Sequence, residues 1–221
     1  MTMQTFRILS ALLCYPEAEL FDALADFPIL LDQEAALPAD ARRGVDAFIT
    51  ELSRMDRLDA QERYVALFDR NRSLSLHLYE HVHGESRDRG QAMVRLAGLY
   101  QLHGLEVVAH ELPDYLPLYL EFLSVIPEKA ARSILTEAVH VISALAEKLE
   151  ARDSTYTAVM RAIESLASRP ARPDAIAEVR GHLDPESDSA ASLDRDWEDE
   201  AIRFTAAGAP QDAVDAAACG R

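Results

Sequence analysis

Apolar residues recur at helical spacing along most of this sequence, and this periodicity is the feature that most restricts the fold. The longest apolar stripe follows Pro127 and comprises Ile134, Leu135, Ala138, Val141, Ile142, Leu145 and Leu149. Spacings of three and four residues place such side chains on one face of an α-helix. Residues 70–86 alternate only briefly and predict an irregular connector. The sequence therefore predicts an all-α fold, a compact single-domain bundle of about eight or more helices.

Local signals predict where several of these helices begin and end. One stripe stops before Pro16, and a second short helix is expected to carry Leu20, Phe21, Leu24 and Phe27. Capping boxes are predicted at 59–62 and 88–91, where an aspartate is followed three residues later by Glu or Gln. Asp114 is a further candidate cap, which would place Pro117 in the first turn of its helix.

The composition changes near Arg169, where large apolar residues become scarce and Ala, Asp and Glu become frequent. We therefore predict two regions, an all-helical domain over residues 1–175 and an acidic, low-complexity tail over residues 176–221. The tail is expected to be mostly disordered from about Asp184, with Trp197 and Phe204 among its few large apolar residues.

Charge and hydropathy limit the possible partners. The formal net charge is −16, from 22 basic and 38 acidic residues, which disfavours nucleic acid and anionic membranes and favours a basic partner. No segment reaches the ~20 apolar residues needed to span a bilayer, so direct membrane insertion is not expected. Cys14 and Cys219 lie near opposite ends of the chain and do not form a disulfide framework. We therefore expect a cytoplasmic protein.

Catalytic motifs are scarce. The sequence contains no nucleophile elbow, no phosphate-binding loop and no dinucleotide-binding fingerprint, so we do not expect an enzyme. The exception is the histidine-rich stretch with His77, His81 and His83, which resembles an inverted zinc-protease motif. A metal-dependent hydrolase that uses these histidines is therefore one alternative function.

The stretch from Tyr115 to Ile126 is almost entirely apolar and contains one charged residue, Glu121. A helix that is apolar on all sides is normally buried, which predicts core positions for Leu120 and Leu123. Glu121 must then reach water, an internal cation or a partner, because an unpaired buried carboxylate is costly. An apolar groove with this carboxylate at its edge would suit a peptide that is both apolar and basic.

Two long stretches resemble the nitrate reductase delta-subunit family, the NarJ-type assembly chaperones within the larger TorD-like group. They are YVALFDRNRSLSLHLYEHVHGESRDRGQAMVRL, residues 64–96, and ELPDYLPLYLEFLS, residues 111–124. The segment WEDEAIRF, residues 197–204, is similar to the C-terminal end of the family. With the helical pattern between them, the resemblance spans most of residues 3–170.

This resemblance implies an all-helical chaperone without a cofactor. Its expected partner is the catalytic (alpha) subunit of respiratory nitrate reductase, bound through its N-terminal leader. The chaperone would keep the apo-enzyme competent for molybdenum cofactor insertion and membrane attachment, and proteins that deliver the molybdenum cofactor are further candidate partners. An acidic structural adaptor that stays in the reductase complex is the second alternative.

The family pattern around residues 113–122 is roughly P-D-H-L-P-L-x-L-E-F, and this chain departs from it by placing Tyr115 where the histidine is usual. Tyrosine supplies a hydroxyl but no charge near neutral pH. No catalytic residue and no metal ligand is predicted. The candidate peptide-binding residues are Tyr79, Glu80, His81, His83, Glu85, Asp114, Tyr115, Leu116, Tyr119, Glu121 and Phe122.

Overall fold

The computed structural model describes residues 3–83, 87–107 and 111–182, which lie in one compact unit, Met1–Asp184. This part of the chain contains eleven α-helices and no strand, so the predicted all-α class is confirmed. The α-helices are α1 Gln4–Leu12, α2 Ala18–Ala23, α3 Phe27–Glu34, α4 Ala39–Arg54, α5 Arg57–Tyr64, α6 Glu80–His83, α7 Arg87–Leu102, α8 Leu116–Val125, α9 Glu128–Glu150, α10 Tyr156–Ser165 and α11 Pro173–His182. A π-helical turn, Val65–Asp69, continues α5, and a 3₁₀ turn, Arg72–Leu74, follows it.

The predicted apolar stripes form the core. α9 packs against α8, α10 and α11, and α10 packs in turn against α4. Gly44 allows the close approach of α4 and α10, because a Cβ atom at this position would lie 3.2 Å from the Cβ of Ala158. Tyr156 is 1% exposed, and its ring contacts Phe48 and Phe68 at centroid distances of 4.7 and 5.0 Å.

α1 and α8 run side by side in opposite directions. The N–H of Met3 donates to the carbonyl oxygen of Ser124 at 2.8 Å, and the Ser10 hydroxyl donates to that of Pro117 at 2.7 Å. α1 buries its Phe6 and Leu9 side against this neighbour, as its stripe predicts. The first helix of the chain therefore lies beside the helix that carries Glu121.

Three local predictions are wrong. Phe27 starts a separate helix, because Pro28 occupies its first turn, where a missing N–H costs nothing. The cap of α5 is Asp56, whose carboxylate accepts from the N–H of Leu58 at 2.8 Å, rather than Asp59. Asp114 does not cap α8, whose N-cap position is Tyr115 without a side-chain hydrogen bond. The cap of α7 would depend on residues 84–86, which lie outside the described residues.

The predicted tail is only partly described. α11 runs across residue 175, and Val179 is 8% exposed on it. Glu85, Trp197 and Phe204 lie outside the described residues, as does most of the predicted tail. The boundary at residue 175 therefore stays a prediction.

Deletion of residues 184–221 is expected to leave the helical domain folded, because the sequence of this segment contains few core-sized side chains. Thermal unfolding of the truncated chain should occur within about 5 °C of the full-length midpoint, which corresponds to roughly 1–2.5 kcal/mol for a domain of this size. A larger decrease would mean that the tail contributes to the core.

Candidate functional site

Most of the predicted site residues on α8 belong to the protein interior. Leu116, Tyr119 and Phe122 are 0%, 4% and 4% exposed. The Tyr119 hydroxyl donates to the carbonyl oxygen of Ile134 at 2.9 Å, and the Phe122 ring lies 4.5 Å from that of Tyr100. Burial therefore explains the apolar composition of this helix.

Glu121 is the exception on α8, because its side chain is exposed. The side chain forms no ion pair within residues 3–83, 87–107 and 111–182. Of the three environments that the sequence left open for this carboxylate, an internal cation is therefore wrong. Water and a partner remain.

Asp114 is completely buried and connects two distant parts of the chain. Its carboxylate accepts from the N–H of Tyr79 at 3.0 Å and lies 3.3 Å from Nδ1 of His77. The backbones also pair, because Leu78 donates to the carbonyl oxygen of Asp114 and Leu116 donates to that of Leu76. This pairing fixes residues 76–79 against the start of α8.

The hydrogen bonds decide the charge state of Asp114. Burial alone would raise its pKa, but the hydrogen bonds from His77 and from the N–H of Tyr79 outweigh burial. Electrostatic interactions with His77 and Arg89 act in the same direction and help to hold the pKa of Asp114 below its ordinary value. Asp114 is therefore a buried, ionised residue that holds the backbone in place.

Glu80 and His81 stabilise the connector from inside. Glu80 accepts from the Ser75 hydroxyl at 2.7 Å and from Nε of Arg72 at 3.0 Å. His81 is 2% exposed, and burial lowers its pKa, so the neutral ring donates from Nε2 to the carbonyl oxygen of Ser75 at 2.6 Å. Both side chains are used in internal hydrogen bonds rather than presented to a ligand.

Within the described residues, the three histidines do not come together as a metal site. His77 precedes α6, contrary to the helical position that a zinc-protease motif requires, and the His83 ring packs on Tyr79. Across the described parts of the chain, no group of three His, Cys, Asp or Glu side chains could hold a metal ion. The hydrolase alternative therefore has no support in this region.

A groove opens beside α1, on the side away from the core stripe. We call it the α1–α3 groove. It has a volume of about 790 Å³, within the ~300–1,000 Å³ range of binding pockets. Its lining residues are Gln4, Arg7, Ile8, Ala11, Cys14, Tyr15, Glu17, Glu19, Leu20, Ala23, Phe27, Leu30, Glu111 and Tyr115.

Negative charge prevails in the α1–α3 groove. Glu17, Glu19 and Glu111 are exposed around it, against one cation, Arg7. Burial, followed by the charges of Glu121 and Glu111, raises the pKa of the Cys14 thiol to about 11. Glu121 therefore acts on the groove electrostatically, and the thiol stays protonated near neutral pH.

Tyr115 holds a fixed position in the groove wall. Its hydroxyl lies 3.2 Å from that of Tyr64, which donates its own proton to the carbonyl oxygen of Leu13 at 3.0 Å. Tyr115 therefore donates to Tyr64. Burial raises the pKa of Tyr115 to about 12, so this residue is neutral and polar where the family usually has a histidine.

A separate cavity of about 390 Å³ lies between α6, α7, α8 and α9. Tyr79 and Tyr119 line it, and the exposed Arg95 and Glu137 stand at its edge. The predicted site residues are thus divided: Tyr115 lines the groove with Glu121 nearby, Tyr79 lines the cavity, and Asp114 lies in the interior.

The part of the groove that α1, α2 and α3 provide was not predicted from the sequence. One signal was available, since Gln4, Arg7, Ile8, Ala11 and Tyr15 follow helical spacing and form a second stripe beside the core stripe. The contribution of Glu111 had no local signal, because it is about a hundred residues away in sequence.

Among the helices in the described parts of the chain, none combines the length and the apolar character that crossing a bilayer requires.

Comparison with known proteins identifies the family. A model of the family described as nitrate reductase delta subunit matches residues 34–162, more than half of the chain. In Escherichia coli K12, the nitrate reductase molybdenum cofactor assembly chaperone NarJ is 40% identical over 199 residues, covering 90% of this chain and 84% of that protein. The Bacillus subtilis strain 168 protein named as a probable chaperone of the same kind is 33% identical over 159 residues, covering 72% of this chain and 85% of its own length.

A second Escherichia coli K12 relative, named as the probable nitrate reductase molybdenum cofactor assembly chaperone NarW, is 36% identical over 202 residues and covers 91% of this chain and 84% of that protein. Assembly of another protein is a non-enzymatic role, in agreement with the prediction that this chain is not an enzyme. The chain belongs to the nitrate reductase delta-subunit family of NarJ-type assembly chaperones.

Proposed function

We propose that this chain is a cytoplasmic chaperone that binds the N-terminal leader of the catalytic subunit of respiratory nitrate reductase. Binding keeps the apo-enzyme competent for molybdenum cofactor insertion and membrane attachment. The role for which the relatives are named supports the assignment to nitrate reductase assembly. The observation that carries the leader-binding step is the α1–α3 groove, which combines an apolar lining with three exposed carboxylates.

The lining of the groove fits a leader that combines basic and apolar residues. Leu20 and Leu30 are partly exposed along it, while Ile8 and Phe27 are buried below. Apolar leader side chains would remove these surfaces from water, which stabilises the complex by roughly 25 cal/mol for each Å² of apolar surface buried. Basic leader residues would meet the carboxylates, which supply orientation and association rate more than affinity.

The proposal predicts that leader binding weakens as salt increases. Exposed ion pairs contribute ~0.2–1 kcal/mol each, so two or three of them together contribute about 0.4–3 kcal/mol, which is about twofold to 150-fold in affinity. The Debye length falls from about 30 Å at 0.01 M salt to about 3 Å at 1 M. The ion pairs are therefore weakly screened at the lower concentration and strongly screened at the higher one. Calorimetric titration of a synthetic leader at low and high salt measures the effect.

Two triple variants test whether the salt dependence of leader binding arises in the groove. Glu17→Gln, Glu19→Gln and Glu111→Gln together should weaken binding at low salt and reduce its salt dependence. Asp153→Asn, Asp174→Asn and Glu178→Gln remove the same charge from exposed positions outside the groove lining, one in the turn after α9 and two on α11, and should leave binding unchanged. Equal effects of the two triples would mean that net charge, rather than the groove, governs the association. No detectable binding of the leader at low salt would contradict the proposed function itself.

A further inference from the structure

The α1–α3 groove has two chemically different ends along α1. Arg7, Ile8, Ala11 and Tyr15 face the groove from successive turns. α1 ends at Leu12, two residues before Cys14, so the helical part from Arg7 to Leu12 alone spans about 8 Å at 1.5 Å per residue. The groove is therefore long enough for its two ends to meet different parts of one bound peptide.

The end near Cys14 is acidic. Glu17 lines the groove three residues after Cys14. Glu111 also lines the groove beside Tyr115, whose hydroxyl is neutral and bonded to Tyr64. A cationic side chain of a bound peptide is stabilised at this end by two carboxylates, without any competing cation in the groove lining there.

The opposite end is marked by Arg7, whose side chain is exposed. Near the start of α1, the Glu34 carboxylate is occupied by the N–H and hydroxyl of the buried Thr5, at 2.6 and 2.5 Å. Across the described residues, Arg7 forms neither an ion pair nor a hydrogen bond through its side chain. This end repels a basic residue and accepts apolar or acidic ones.

We propose that the α1–α3 groove binds the leader in a single direction, with its basic residues at the Glu111–Cys14 end and its apolar run extending along α1 toward Arg7. This inference rests on the proposed function, because it concerns the same groove and the same leader. Arg7 is a specificity-determining residue in this arrangement, since it excludes the reversed orientation rather than contributing attraction.

Site-directed crosslinking tests the direction. Cys219→Ser leaves Cys14 as the single cysteine, and the triple variant Arg7→Cys, Cys14→Ser, Cys219→Ser moves the single thiol to the other end. Two synthetic leaders carry a bromoacetyl group, one at the basic end and one at the end of the apolar run. Mass spectrometry gives the alkylation rate for each pair. Comparing two reagents on one cysteine cancels the low intrinsic reactivity of Cys14.

At Cys14, the leader labelled at its basic end should react at least about tenfold faster than the leader labelled at its apolar end. The cysteine at position 7 should show the reversed preference. Equal rates at both positions, with the leader still bound in calorimetry, would overturn the single direction and leave the proposed function standing. If neither leader binds or alkylates in a saturable manner, both the proposed function and the inference fail.

The variant Arg7→Glu tests whether Arg7 selects the direction in which the leader binds. In the Cys219→Ser background, it makes both ends acidic, so the rate ratio at Cys14 should fall toward one while the affinity for the leader stays equal or increases. An unchanged ratio would show that Arg7 does not select the direction. A loss of affinity would contradict the repulsive role that we assign to Arg7.

Discussion

Replacement of Asp114 by alanine is expected to lower the free energy of unfolding by about 3–5 kcal/mol, the typical cost of removing one partner from a buried charged pair. The substitution leaves the N–H of Tyr79 and Nδ1 of His77 without their hydrogen-bond acceptor. Both residues belong to the segment 76–79, whose backbone also pairs with the backbone at Asp114. At about 2–4 °C per kcal/mol for a chain of this size, the melting temperature should fall by about 6–20 °C.

Asp114→Asn is the matched control. It keeps the size of the side chain and one carbonyl acceptor, so it should preserve one of the two hydrogen bonds and cost less than the alanine variant. Melting curves of the three proteins under one buffer condition provide the comparison. If the alanine variant melted within about 3 °C of the unmodified protein, the contact between residues 76–79 and the start of α8 would not depend on this carboxylate.

The same residue predicts a dependence on pH. The pKa of Asp114 is lower in the folded protein than its ordinary value, so its contribution to stability is complete above about pH 4. As the pH falls toward the lower pKa of the folded state, the carboxylate becomes protonated and this contribution disappears. The stability difference between the unmodified protein and Asp114→Asn should therefore shrink below about pH 4 when measured by chemical denaturation.

The periodicity of the sequence predicted the helices that form the core because helical spacing is a local property. α4, α9 and α10 bury the apolar stripes that their sequences predict. A stripe needs only one neighbouring surface, so it can be recognised without knowledge of which helix packs against it.

The helix starts were less predictable, because a cap depends on competing hydrogen bonds. Asp59 and Asp114 both have the residue type and spacing of an N-cap, but Asp56 caps α5 and Asp114 binds the backbone of Tyr79, 35 residues earlier. Only tertiary structure reveals that competition. Pro28, by contrast, marks the start of α3 by a local signal, because proline is favoured in the first turn of a helix.

The sequence predicted the chemical character of the candidate groove but not which helices form it. The sequence predicted an apolar groove with Glu121 at its edge, but its lining comes from three N-terminal helices and from Glu111 and Tyr115. No periodic pattern connects residues so far apart. The pairing of residues 76–79 with Asp114 likewise has no signal in the sequence. In the folded protein, Tyr79 lines the cavity between α6, α7, α8 and α9, whereas Tyr115 lines the α1–α3 groove.

Glu121→Gln is expected to leave the melting temperature nearly unchanged, because the side chain is exposed and most surface substitutions stay within about 0.5 kcal/mol. Leader binding should weaken by roughly 1.5–3 kcal/mol, the range for a hydrogen bond to a charged group, which is about 10- to 150-fold in affinity. The reason is that a bound leader would cover the carboxylate and bring a basic side chain against it in a less polar environment.

Glu137→Gln is the matched control, since Glu137 is also exposed but stands at the edge of the cavity between α6, α7, α8 and α9. Melting and peptide titration of both variants separate the two locations. If the leader occupies the α1–α3 groove, only Glu121→Gln weakens binding, because Glu121 acts on Cys14 in that groove. If only Glu137→Gln weakens binding, the leader binds in the cavity beside Tyr79 instead. Arg7 would then have no part in leader recognition, because it lines the α1–α3 groove.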